Sequence, residues 1–209
     1  LLQIYNSLLN KTKILIQSNT MYGMLTMSNS SGYEVLGFIP CSLDTLMPSL
    51  QQVKESVEAI NVDTSELVIL ISHMGGIINP EIVKISEFCK SNNIILVEDC
   101  AHSFGSTLNN HHSGLFGDAG VFSFYSTKAI PAGEGGAIIS KNKDIIELAE
   151  RYIKYDRFQR TMSIGNNIRL SEIQALLIYS VIKEYKEIIS NKSEIAQVYI
   201  EACENLGIN

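Results

Sequence analysis

The sequence predicts an α/β protein, a three-layer α/β/α sandwich built on a parallel or mixed sheet. Three observations carry this. Short apolar segments alternate with amphipathic ones along most of the chain. The apolar segments are rich in Ile, Val and Leu and mostly lack polar alternation, so both faces of their strands are expected to be covered. The chain has 209 residues, 45% hydrophobic and 18% charged, which suits one globular domain with a real core.

The elements follow in order. Leu1–Leu9 has the apolar spacing of a helix. Strands are expected at Ile14–Ile16, Glu34–Ile39, Leu67–Ile71, Ile94–Val97, Gly120–Tyr125 and Ala137–Ile139. Helices are expected at Met21–Asn29, Leu50–Ala59, Pro80–Lys90 and Asp144–Lys154, with Pro80 in the first turn of its helix. Two more helices follow, Leu170–Ile189 with Ser171 near its start and Ser193–Leu206 with Gly207 as a stop. These two leave the βα alternation and read as an arm leading to a further, smaller domain. The stretch from Asn109 to Gly114 reads as a polar turn.

Composition excludes several classes. A net charge of −6 with no Lys/Arg cluster argues against nucleic acid. Cys41, Cys89, Cys100 and Cys203 form no CxxC pair and match no zinc template, so they read as reduced, mostly buried thiols of a cytoplasmic protein. His73, His111 and His112 have no partners at metal spacing in the sequence, so no metal is expected. No signal peptide is visible, and no apolar run is long enough to span a bilayer. The chain starts at Leu1 inside what reads as a helix and stops at Asn209 just after one, which reads as a segment of something longer.

Chemistry concentrates at two strand ends. The run from Phe122 brings an apolar strand to Lys128, followed by Gly133-Glu134-Gly135-Gly136. A partly desolvated lysine favours its neutral amine, the form that attacks a carbonyl. Repeated glycine permits backbone to approach a ligand closely. The apolar run at 94–97 ends on Glu98-Asp99. An aspartate there can reach a ligand in the crevice above the sheet. A lysine and an aspartate so placed form the pair that a pyridoxal-phosphate site uses. Ser123 could serve a phosphate, and His102 could lie against a ring. Each residue alone also fits a plainer role: a turn aspartate, a solvated lysine, a strand serine, a helix-start histidine.

Together the blocks are more specific. VEDCAHSFGS at 97–106, GDAGVFSFYSTKAIPAGEGGAIIS at 117–140 and GNNIRLSEIQALL at 165–177 resemble the DegT–StrS family of pyridoxal-phosphate-dependent sugar aminotransferases. Weaker similarity at ILIQSNT, 14–20, and LDTLMPSLQQV, 43–53, extends the resemblance along the chain. It implies a fold-type-I large domain, incomplete here, over residues 1–168, and a helical arm over 169–209 leading to an absent small domain. It implies Lys128 as the Schiff-base lysine and Asp99 as the partner of the pyridinium nitrogen. It places His102 where the family has a ring-contacting Gln or His. Ser123 matches the serine that binds the cofactor phosphate. Asn167 matches an asparagine that reaches the phosphate in the neighbouring subunit of a homodimer. The implied reaction moves an amino group from glutamate to a keto sugar carried on a nucleotide, in sugar or cell-surface polysaccharide biosynthesis.

The chain departs from the family in places. The Gly-Thr-Ser/Asp-Ala phosphate loop is absent, Met21 stands where an aromatic residue usually stacks on the cofactor, and Pro40 stands where an aspartate is frequent. GGIINP at 75–80 also lacks the usual Gly-x-Pro-x-Asp-like pattern. These departures support an alternative, a truncated or degenerate homologue without catalysis or a partner subunit.

Overall fold

The computed structural model describes residues 1–208. The elements run α1 (Leu2–Leu9), β1 (Lys13–Gln17), α2 (Gly23–Ser30), β2 (Glu34–Ile39), α3 (Leu50–Ala59), β3 (Leu67–Ser72), α4 (Ile82–Ser91) and β4 (Ile95–Asp99). They continue as β5 (Thr107–Leu108), β6 (His111–His112), β7 (Ala119–Ser123), β8 (Gly136–Ile139), α5 (Lys143–Ile153) and α6 (Glu172–Asn205). The chain divides into two compact units. The first comprises residues 1–123 with 136–169, and the second comprises 124–135 with the chain from Leu170 on.

The first unit is built on a six-stranded sheet in the order β2-β1-β3-β4-β7-β8. All neighbours are parallel except the edge pair of β7 and β8. The expected mixed sheet is therefore present. Side chains alternate between two covered faces, as strand geometry requires. Leu67, Ile69 and Ile71 of β3 pack with Val53 of α3 and Ile82, Ile85 and Cys89 of α4. Val68 and Leu70 point the other way, towards Leu2 and Tyr5 of α1, Met24 of α2 and Ile145 of α5. All six residues of β3 are buried. That explains its unbroken apolar run: neither face meets water. Each fully buried aliphatic side chain contributes roughly 1.5–3 kcal/mol.

Several boundaries differ from expectation. α4 begins at Ile82, not Pro80. Asn79 Oδ1 accepts from Glu81 N at 2.8 Å and Asn79 O accepts from Ile82 N at 3.0 Å. The proline thus sits inside a turn ahead of the helix. α2 starts at Gly23. The strand expected to reach Tyr125 ends at Ser123, where its last ladder partner is Gly136. Lys128 therefore lies in the segment beyond β7 and does not cap the strand. The polar stretch at 109–114 is part of a hairpin: β5 and β6 pair around Asn109 and Asn110, both at positive φ (51° and 61°), the signature of a tight primed turn. Of the four thiols, Cys89 and Cys100 are buried, Cys41 is half-buried and Cys203 is exposed.

In the second unit the two helices expected near the end are one, α6, of 34 residues. Ser190, Asn191 and Lys192 join the two apolar stretches without Gly or Pro, so nothing breaks the ladder. The helix is about 50 Å long. Ser171 caps it in a reciprocal box with Gln174. At the other end Gly207, at φ 67°, donates to Glu204 O while Ile208 donates to Cys203 O, a Schellman closure. Among the described residues no helix is long and apolar enough to cross a membrane.

A side chain at Gly120 of β7 would place its Cβ 2.4 Å from Gly114 Cα. Gly120→Ala is expected to cost about 2 kcal/mol or more, read as a lower urea midpoint. An unchanged midpoint would contradict this packing.

Candidate functional site

The strand order reverses between β1 and β3. β1 leads through α2, on the Val68 face, to β2 at one side. β3 leads through α4, on the Ile69 face, to β4 at the other. Connections that leave on opposite faces open a crevice at the carboxyl ends of the strands, where ligands of such sheets bind. The residues that end these strands are Gln17, Ser72 and Asp99.

Asp99 is 7% exposed. Its Oδ1 accepts from Ala101 N at 3.0 Å and its Oδ2 from Ser72 Oγ at 3.0 Å. Thr20 Oγ1 lies 2.6 Å from Ser72 Oγ. Among the described residues no Lys, Arg or His pairs with Asp99. A buried carboxylate in that state is short of a cation. Its donor set therefore fits a protonated ring nitrogen.

The preceding Glu98 points to the opposite face and is wholly buried. Its Oε1 accepts from Phe116 N and Gly117 N at 2.8 and 2.6 Å, and its Oε2 from Gly114 N at 2.8 Å. His73 Nε2 lies 2.8 Å from the same Oε2. His73 Nδ1 accepts from Asn79 N at 3.2 Å, so Nε2 carries the proton and donates. His73, Glu98 and Cys100 bring ligand-type atoms within 4.8 Å of one another. The Glu98 and His73 donor and acceptor sites are nevertheless taken by protein groups. Burial, reinforced by Glu98, pushes the Cys100 thiol up. The cluster is a brace.

The turns after β3 and β4 lie together. Ser106 Oγ donates to Gly76 O at 2.6 Å, and a Cβ on Gly76, at φ 85°, would sit 3.1 Å from His102 O. This packing fixes the backbone of His102, whose residue is exposed and lies in a turn, not at a helix start. Ser123, half-buried, closes β7 on the same face of the sheet as Asp99: Asp99 pairs with Val121, and Ser123 follows two residues on. Met21 and Tyr22 are exposed at 59% and 75%.

Lys128 belongs to the second unit and is half-buried. Its N–H donates to Tyr125 O at 2.9 Å. The loop is closed by Phe124 N donating to Gly135 O and Ala132 N to Phe124 O, both at 2.8 Å, over the buried Ile130. A Cβ on Gly135, at φ 144°, would meet Leu170 Cδ1 at 2.9 Å. One glycine of the Gly-Glu-Gly-Gly signal thus serves the chain's own packing.

Asn167 is exposed, bridges Lys154 and accepts from Arg169 Nε at 2.9 Å. No hydrogen bond joins it to Asp99 or His102 among the described residues. Its segment hangs on Asp156. The Arg151 guanidinium, followed by the N–H groups of Met162 and Thr161, holds the Asp156 carboxyl well below the usual carboxylate range.

Sequence reasoning named Asp99, His102, Ser123, Lys128 and Asn167. The structure gathers Asp99 and the turn of His102 at the carboxyl end of the sheet, with Ser123 at the end of the neighbouring strand. It adds Gln17, Thr20, Ser72, His73 and Glu98. The readable signal for Gln17, Ser72 and Glu98 was a polar residue closing an apolar run, as in ILIQ, LVILIS and ILVED; Thr20 and His73 carried none.

The fold is an α/β/α sandwich with a buried carboxylate, Asp99, at the carboxyl end of its switch-point sheet. Residues 2–209 match the DegT/DnrJ/EryC1/StrS aminotransferase family, and the chain belongs to it. It is similar to a GDP-perosamine synthase of Escherichia coli O157:H7, 33% identical over 120 residues, covering 56% of this chain and 33% of that protein. It is similar to a UDP-4-amino-4,6-dideoxy-N-acetyl-beta-L-altrosamine transaminase of Helicobacter pylori, 28% identical over 150 residues, covering 69% and 40%. The fold is shared with a DegT DnrJ EryC1 StrS aminotransferase of Brucella abortus, at a TM-score of 0.85 and 20% identity over 98% of this chain and 56% of that one. Helicobacter pylori PseC, an aminotransferase involved in the biosynthesis of pseudoaminic acid, shares it at a TM-score of 0.84 and 24% identity, covering 97% and 55%. The chain spans between a third and a little over half the length of these relatives.

The depressed Asp156 carboxyl contributes stability that is full above its unfolded value, near pH 4, and is lost as pH falls through its folded value. Asp156→Asn should flatten this acid limb. Urea unfolding between about pH 5 and about pH 2 checks it, and equal pH slopes for parent and variant would contradict the ion pair's role.

Proposed function

We propose that the protein transfers an amino group, with glutamate as donor, to a keto sugar carried on a nucleotide, using pyridoxal 5'-phosphate. The observation that carries this reading is Asp99: buried, hydrogen-bonded by two donors and lacking a cation, at the carboxyl end of a switch-point sheet. Family membership and the sugar-aminotransferase names of the relatives support it. When bound, pyridoxal phosphate supplies the electron sink for a carbon that gives up its proton.

In this reading the chain's own groups divide the work. Asp99 would hold the protonated ring nitrogen of the cofactor. Lys128 would hold the cofactor through its amine and, once that amine is free, would carry a proton between two carbons. Ser123 donates to the phosphate, and His102 lies against the ring. Asn167 serves the phosphate of a neighbouring subunit in a cytoplasmic homodimer. Residues 1–168 act as the cofactor-binding part, and 169–209 as an arm towards a smaller domain.

Borohydride reduction of the chain mixed with pyridoxal phosphate, followed by peptide mapping, tests the reading. A stable adduct on Lys128 is expected, and its loss in Lys128→Ala. Labelling scattered over surface lysines would instead support the non-catalytic alternative. Asp99→Asn should keep part of the cofactor binding and slow the proton transfer about 100-fold or more. Equal single-turnover rates would remove Asp99 from its role.

A further inference from the structure

Polar side chains from β1, from the turn after it and from β3 lead to Asp99 in a fixed order. Gln17 is fully buried at the end of β1. Its Oε1 accepts from Ser72 N at 3.1 Å, and its Nε2 donates to the carbonyls of Ser72 and Asn19 at 3.1 and 2.8 Å. The side-chain amide thus continues the β1–β3 ladder past its last backbone pair, Ile16 with Leu70, and pins Ser72. The Ser72 hydroxyl has one proton, and it goes to Asp99 Oδ2. The 2.6 Å contact between Thr20 Oγ1 and Ser72 Oγ therefore carries the Thr20 proton. The row is directed: Thr20 donates to Ser72, and Ser72 donates to Asp99. Hydrogen bonds in such a chain polarise one another.

We propose that Ser72 and Thr20 are positioning residues that fix Asp99 as the proton acceptor for a cationic heteroaromatic N–H. The inference rests on the cofactor reading above and assigns two residues which that reading does not name. Ser72 is paired directly with Asp99 across β3 and β4 and is 1% exposed, so water cannot replace its hydroxyl. With Thr20 donating into it, the hydroxyl is held as a donor to Asp99. Ala101 N–H holds the other oxygen in the same sense. Both carboxylate oxygens face donors and no acceptor, and a proton shared with a ring nitrogen is left on the ring. The remaining lone pairs are aimed by the two fixed contacts.

The test uses pyridoxal phosphate isotope-labelled at the ring nitrogen, added to the parent chain and to Ser72→Ala, Ser72→Thr and Thr20→Val. The ring-nitrogen chemical shift, cofactor affinity and far-UV circular dichroism are recorded at neutral pH. The parent should show a protonated ring. Ser72→Ala should move the shift towards the unprotonated ring and weaken binding about tenfold. Ser72→Thr should restore both, and Thr20→Val should move the shift part of the way. A folded Ser72→Ala with the parent's shift overturns the proposal. If Ser72→Ala does not fold, an unmoved shift in Thr20→Val overturns it. A parent chain that gives no borohydride-stable adduct on Lys128 overturns the cofactor reading first, and this inference with it.

Discussion

The buried carboxylate of Glu98 is the constraint on which the rest of the site depends. A carboxylate with no exposure must fill its acceptor sites or cost several kcal/mol. Glu98 fills them with three backbone N–H groups from residues 114–117 and with His73. That demand pulls two distant segments together. It draws the chain returning from the β5–β6 hairpin under β4, where a Cβ on Gly117 would meet Leu96 O at 2.5 Å. It also holds His73, the first residue after β3, against β4. The positions of β7 and of the turn carrying Gly76 follow from those two attachments.

On this brace the carboxyl ends of β3 and β4 are locked in register, Ser72 opposite Asp99. His73 N–H donates to Asp99 O at 3.0 Å, so the backbone of Asp99 is held from the same residue whose ring holds Glu98. The site is thus rigid on the side of the strand ends. Its more exposed parts are His102, in a turn, and Met21 and Tyr22, just ahead of α2. In the proposed function, a polar centre held by strand ends with an open rim would suit a bound ring that must also admit a second molecule.

The sheet was legible because β3 and β4 are apolar on both faces and only a covered parallel sheet tolerates that. Helix existence was legible from periodicity, but helix continuity was not. Two apolar stretches separated by Ser190-Asn191-Lys192 look like two helices, and only the absence of a breaker joins them. Pro80 was misplaced for a related reason: proline suits both a first helical turn and the turn ahead of it, and the side chain of Asn79 decides between them. Asp99 could be named from its place after an apolar run. Its partner Ser72 could not, because parallel register between strands separated by α4 is not written in either strand alone. His73 showed no partner within its own segment, and Glu98 lies 25 residues away.

Two adjacent carboxylates then present opposite answers to one question. Glu98 and Asp99 are both buried at the end of β4, and among the described residues neither pairs with an Arg or Lys. A carboxylate offers about four acceptor sites. Glu98 uses its sites on four protein donors, two to each oxygen, so it has nothing left for a ligand. Asp99 receives two, one to each oxygen, and keeps the rest. Strand parity sends the first to the braced face and the second to the crevice face. The sequence pair Glu-Asp is therefore not a duplicated acid. One residue fixes the frame, and the other keeps acceptor capacity that the frame does not use. In the proposed function, the protonated nitrogen of a bound ring would use that capacity as a donor and a cation at once.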